Sequence, residues 1–353
     1  MNRAFDRRGW LDLGLGFLLG LVATGIVVAG LNGVMGWRRV GVWERSIDER
    51  HSDEFEALML RQIDLARDGI RDEDPLPLGH KLAFTVTPAI YEHYLEYIIF
   101  LLESDQVDRF NQLRAETQYM QLNLTGVSLE GLNLEDADLQ EAILEDADFK
   151  GAALEGASFF RARLRGADFS GAHVDRANFS QAEMLNVILN NVIGTAPDFS
   201  RAVLVNASLT SITDLRDARF DFAELAQCNM EGSEFPGAVF DHADFTLGSA
   251  VNVDFSEVES MNDVVFTGAN LAGTRWNPSH TDRPWLVGSQ GLDAPTIEKL
   301  RANGGILHPE ELLELIDEEI IQGFRAQVDE DAEISEEQRD AVFFDLLRQY
   351  WMR

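Results

Sequence analysis

The sequence predicts a mainly β chain, in which short extended sides coil into a solenoid with helical segments on either flank and one membrane-spanning helix in front. Three observations carry this. A large apolar residue returns at every fifth position between residues 124 and 276, a run of about 22 nearly uncharged residues stands near the N-terminus, and other apolar residues fall at helical spacing.

The beat is plain in "LEDADLQEAILEDADF", where Leu134, Leu139, Leu144 and Phe149 recur and Ala137, Ala142 and Ala147 each stand two residues before the next large residue. Neither the helical period of 3.6 nor the strand period of 2 produces it. It holds from Leu124 to Leu209 with Gly194 the only break, shifts by one residue, and resumes from Leu215 through Phe220, Leu225, Met230, Phe235, Phe240 and Phe245 to Phe255. After a second one-residue shift it ends on Phe266, Leu271 and Trp276.

With the large residue called i, positions i−2, i−1 and i alternate in, out, in, as a short extended segment must. The next two residues turn the chain, and Gly126, Gly131, Gly151, Gly156, Gly166 and Gly171 suit that turn. Each five residues make one short side of a polygonal coil.

The units "ADLQE", "ADFKG", "ADFSG", "ANFSQ" and "ANLAG" resemble the pentapeptide repeat family, whose pattern is A(D/N)LXX; the resemblance covers residues from about 120 to 277. It implies a right-handed quadrilateral β-helix with four repeats per coil. About thirty repeats then give seven to eight coils, or roughly 35 Å at about 4.8 Å each.

Residues 11–37 include the apolar run from Leu13 to Met35, long enough for a hydrocarbon core of about 30 Å. Trp10 and Trp37 bracket it, with Arg7, Arg8, Arg38 and Arg39 outside. It is too long for a signal peptide and is expected to be an uncleaved single-pass anchor in the cell membrane. The charged flanks leave the side of the soluble domain undetermined, with the cytoplasm preferred. Gly16 with Gly20, and Ala29 with Gly33, have the spacing of close helix pairs.

Helical spacing over residues 42 to 70 suggests a stalk, broken by Pro75 and Pro77, and a second run from Pro88 to about Arg114 should cover the first coil. After the repeat, Asp293 is an expected N-cap and Gly304 a stop. Pro309 starts a helix with Leu312, Leu313, Ile316, Ile320, Ile321 and Phe324 on one face. Ser335 with Gln338 has capping-box spacing before an apolar final helix. The expected domains are 1–37 (tail and anchor), 38–118 (helical stalk and cap), 119–277 (β-helix) and 278–353 (C-terminal helices).

Sixty-one acidic and 29 basic residues give a net charge of −32 over 353 residues. Residues 1–35 carry +1, 36–119 carry −7, 120–276 carry −16 and 277–353 carry −10, so the acidity is global. Direct nucleic-acid binding needs clustered Lys and Arg and is excluded. Solvation in high salt and mimicry of a polyanion both account for the charge.

The seven histidines lack metal-ligand spacing, and the single Cys228 falls where the repeat wants a small core residue. No catalytic residue, cofactor site or metal site is expected. Two outward features are candidate sites. Leu185, Ile188, Ile193, Val203 and Val205 put apolar side chains at positions that are normally polar, a candidate partner contact. Glu135, Glu155 and Asp175, spaced by twenty, form an acidic column.

These features suggest a non-enzymatic, membrane-anchored scaffold that binds an unidentified protein and meets the bilayer through residues 11–37. A homodimer through the membrane helix or the C-terminal helices is a further expectation. Some members of the resembled family imitate duplex DNA and bind type II topoisomerases, which the resemblance implies as the alternative. An enzyme stands last.

Overall fold

The structure, a computed structural model, describes residues 60–61, 88–118, 120–330, 335 and 338–351. The expected anchor with its small-residue pairs, most of the stalk helix and the break at Pro75 and Pro77 lie outside the described residues. Among the described residues no helix is long and apolar enough to cross a membrane.

The chain divides into two compact units, residues 1–98 with 117–120 and residues 99–116 with 121–353. The first holds most of helix α1 (Pro88–Glu103), with Tyr94, Tyr97 and Ile98 buried. There Tyr94 Oη and Thr117 Oγ1 share a hydrogen bond of 2.9 Å, and the Tyr91 ring stacks on Tyr94 at 6.3 Å.

The second unit begins near a turn at Asp105 (φ 56°), so the run expected to be continuous from Pro88 breaks before α2 (Val107–Glu116). Asn111 Nδ2 donates to the Asp136 carbonyl (2.9 Å), Asn111 Oδ1 accepts from the Asp138 amide (2.8 Å), and Arg114 donates to the Asp138 and Gln140 carbonyls (3.3 and 3.0 Å). These bonds occupy the open edge of the first coil, which would otherwise offer unpaired strand groups.

The solenoid follows from the beat. Parallel bridges join residues twenty apart, from Asn123↔Ile143 through Asp148↔Asp168 and Asp138↔Ser158 to Ile188↔Ser208. Four bridge columns per coil define four sides, whose outward middle residues are, in chain order, 143/163/183/203, 148/168/188/208, 153/173/193/214 and 158/178/198/219. Between sides the i+2 residue takes a left-handed conformation, as at Asp136, Glu141 and Asp146 (φ 55–57°). At Gly156 that position has a second demand: a Cβ there would lie 2.1 Å from Asp136 Oδ1 of the neighbouring coil.

The two one-residue shifts appear as coils of twenty-one, for example Ile193↔Asp214 and Asp244↔Val265. At the first, Ile212 and Leu215 are buried while Thr213 and Asp214 both face out, a bulge of one extra residue. The buried Ser233 on the next coil secures it. Its hydroxyl donates to the Leu209 carbonyl (2.7 Å) and accepts from the Ile212 amide (3.0 Å).

Inside, Phe159, Phe179, Phe199, Phe220 and Phe240 stack one per coil, with successive centroids 4.8, 4.8, 5.0 and 4.8 Å apart. Phe149 and Phe169 stack on another side at 4.6 Å, edge-on to Phe159. Gly194, the break in the beat, has its Cα where a Cβ would lie 2.9 Å from Asp175 N and from Val174 C. The coil below approaches too closely for a side chain.

The coils do not stop at the boundary expected at 277. Val265↔Trp285, Asn270↔Gln290 and Trp285↔Ile306 carry the ladder to Ile306, because Leu286 enters the core after a longer connection that hides the beat. Asp293 then caps α3 (Ala294–Ala302), accepting from the Thr296 amide at 2.8 Å. The helix expected from Pro309 is interrupted at the extended Ile316, giving α4 (Leu312–Leu315) and α5 (Glu318–Glu330) before α6 (Arg339–Trp351). Leu312, Ile316, Ile321, Val328, Phe343 and Leu347 of these helices bury Val265, Trp285 and Ile306, the outward column of the first side.

Candidate interaction surface

The outward Asp and Asn side chains at i−1 are engaged by their own turns, Asp214 excepted. At i−1 they accept from the amide two residues on, as Asp168 from Ser170 (2.9 Å), Asn178 from Ser180 (2.9 Å), Asp198 from Ser200 (2.8 Å) and Asp244 from Thr246 (2.8 Å). The Ser and Thr hydroxyls add a second bond to the same oxygens. This Asx turn satisfies an amide that the corner would leave exposed.

Burial pushes the Asp168 carboxyl up, but the Ser170 bonds and Lys150 outweigh it and hold the group below its ordinary range. Lys150 lies 3.0 Å from Asp168 and 3.2 Å from Asp148, and is itself raised by those bonds, Asp168 first. These acids hold the wall together.

Glu135, Glu155 and Asp175 occupy the same corner on successive coils, where the Asp136 amide donates to the Glu155 carbonyl (2.8 Å) and the Gly156 amide to the Asp175 carbonyl (2.7 Å). The column is short. Thr195 continues it and donates its amide to Asp175 Oδ1 (3.1 Å), and His173 Nδ1 lies 3.9 Å from Glu155.

The five outward apolar residues are all half-buried, and they divide among three sides. Leu185 and Val205 lie one above the other at the trailing corner of the first side, where the Gly166 and Asn186 amides donate to their carbonyls, and Val203 stands beside Val205. Ile188 belongs to the second side, between Asp168 and Ser208, and Ile193 to the third, between His173 and Asp214. Leu185, Val203 and Val205 therefore form one patch without the other two.

Directly below that patch, Arg161, Arg163 and Arg165 cross the first side in one row, and Arg201 stands at its leading corner two coils above Arg161. Sequence reasoning missed this row, although "RARLR" places all three arginines on the outward beat. Arg163 pairs with Glu145 (2.5 Å) and Glu183 (3.7 Å). Arg161 lies over the Phe160 ring (4.8 Å) and donates to Gln181 Oε1 (3.0 Å), while Arg201 lies over Phe222 (4.7 Å). Arg161, Arg165 and Arg201 make no ion pair among the described residues.

The same corner continues upward through Phe222 stacked on His242 (4.5 Å), and His242 lies 3.9 Å from the buried Asp263. Burial raises the Asp263 carboxyl against the pull of Arg283. Cys228 is buried and its thiol is pushed up to about 12 by that burial. Among the described residues no group of three or more His, Cys, Asp or Glu is arranged to hold a metal ion.

The family model for pentapeptide repeats matches residues 123–159, 157–193 and 213–247, in eight copies. Those stretches of the solenoid are pentapeptide repeats. Their coils of twenty, Asx turns and phenylalanine ladder are the physical content of that pentapeptide-repeat pattern. The comparison with curated proteins returns no significant match.

Several solved structures are similar to parts of this chain. Full-length QnrB1, a plasmid-mediated fluoroquinolone resistance protein, is 17% identical over 53% of this chain and 98% of its own, with a TM-score of 0.29. HetL, involved in heterocyst differentiation regulation in the cyanobacterium Nostoc sp. strain PCC 7120, is 18% identical over 51% of this chain and 89% of its own, at 0.25. A pentapeptide repeat protein from the Arabidopsis thaliana thylakoid lumen is 28% identical over 37% and 67%, at 0.19. At such scores the likeness says nothing of function.

Proposed function

We propose that this chain is a non-enzymatic scaffold whose pentapeptide-repeat solenoid presents a rigid face to a protein partner. The observation that carries the reading is the contrast on the wall: Asx turns occupy the Asp and Asn side chains in the middle of the sides, whereas Leu185, Val203 and Val205 lie outward with no turn to serve. Clustered apolar side chains that keep part of their surface in solvent on a polar wall mark contact surfaces. Tethering to a bilayer through residues 11–37 belongs to this reading and rests on the sequence alone.

Affinity purification of the full chain from its native membranes, beside a Leu185→Ser, Val205→Ser double variant, tests it. A partner retained by the parent and lost from the variant is the expected result. Equal recovery from both would sink the reading.

Charge alone favours a second reading, polyanion mimicry. Residues 120–276 carry −16 over roughly 35 Å, where duplex DNA would carry about 20. A gyrase supercoiling assay distinguishes the two, and no inhibition at micromolar protein removes mimicry.

A further inference from the structure

We infer that the first side of the solenoid docks a short acidic segment of a partner protein, with apolar residues along its contacting face. This rests on the scaffold reading and names the partner's chemistry.

The placement of positive charge carries the inference. Residues 120–276 hold nine Lys and Arg against 25 Asp and Glu, yet four of the nine, Arg161, Arg163, Arg165 and Arg201, stand on three successive coils of one side. On that side of those coils Glu183 is the one acid, and with Glu145 of the coil below it pairs with Arg163, which leaves Arg161, Arg165 and Arg201 without a carboxylate. Leu185, Val203 and Val205 fill the middle and trailing corner of the same area. A wall acidic nearly everywhere is locally cationic and apolar here.

The guanidinium groups are also prepared. Arg161 and Arg201 rest on the Phe160 and Phe222 rings, which fixes their planes while leaving N–H edges free for a carboxylate. Groups held before binding lose less entropy on contact. Three coils by one side measure about 15 by 10 Å, room for about ten residues of helix or four to five of strand.

The net charge of −32 does not oppose this at physiological salt. Screening there reaches about 8 Å, so a short segment senses the patch and little of the wall beyond it. An anionic bilayer differs, because its extended surface would meet the acidic sides and corners as well. A protein segment is therefore the occupant.

The test is peptide display of random 15-residue sequences on the full chain in detergent at 0.15 M salt, with affinities read by fluorescence anisotropy. Enriched peptides should carry Asp or Glu with interspersed Leu, Ile or Phe. Arg161→Glu with Arg165→Glu should weaken them at least tenfold, and Leu185→Ser with Val205→Ser should do the same at an unchanged melting temperature. Enrichment of basic peptides, binding indifferent to the arginine pair, or arginine-dependent capture of phosphatidylserine vesicles in place of peptide overturns the inference. A photo-crosslinking residue at Val205 in cells separates the two failures: a protein cross-linked equally with and without the arginine changes leaves the scaffold standing and removes only the acidic segment.

Discussion

Arg283 Nη2 lies 2.6 Å from Asp263 Oδ2, and the same guanidinium donates to the Trp351 carbonyl (3.1 Å) and lies over the Trp351 ring (5.6 Å). One side chain thus ties the last coils to the end of α6. Asp263 is only 4% exposed and its Oδ1 has no other partner. Arg283→Ala should leave a buried carboxylate unpaired at a cost of about 1–3 kcal/mol. It should also open α6 to trypsin at Arg339 and Arg348, which limited proteolysis reads directly.

Ser233→Ala is isosteric apart from one oxygen, yet that oxygen serves both groups loosened by the Thr213 bulge. Urea denaturation should show a loss of about 2 kcal/mol. The neighbouring Ala238→Ser, at a regular coil with no loosened groups, gives the control in which an added hydroxyl finds no bulge to serve.

The Asp168 carboxyl sits below its ordinary range in the folded chain, so across that interval the native state binds fewer protons than the unfolded state. Its contribution is present above the unfolded value and is lost as pH falls through the folded one. Asp168→Asn keeps the turn bond, as Asn178 does with Ser180, and removes only the charge facing the half-exposed Lys150. The variant should be less stable by about 0.5 kcal/mol at pH 7, and the difference should shrink in melting curves as the pH is lowered below the ordinary aspartate range.

Cys228 faces the core with a thiol pushed up to about 12, so almost no thiolate exists at neutral pH. Alkylation by iodoacetamide should be undetectable by mass spectrometry in the native chain and complete in denaturant.

The core is legible because its restriction is one-dimensional: the large residues from Leu124 to Trp276 repeat one inward position, and the one-residue shift in their spacing alone marks the bulge at Thr213. The outward surface is less so. Leu185, Ile188, Ile193, Val203 and Val205 are near one another in sequence, but a side changes every five residues, so nearness along the chain scatters neighbours around the coil. Arg161 and Arg201 fall in one column only once the twenty-residue period is applied to outward residues as well as inward ones. The coil through Trp285 and Ile306 was hidden because the connection before it breaks the beat.

The twenty-one-residue coils show that one inserted residue is absorbed within a single side, leaving Val203 aligned with Glu224 and Ser208 with Asn229 beyond it. Each outward position consequently behaves as a coordinate on a grid, with its vertical neighbours twenty or twenty-one residues along the chain. Such a lattice can be rewritten one cell at a time, so a new recognition motif could arise on it without renegotiating the interior.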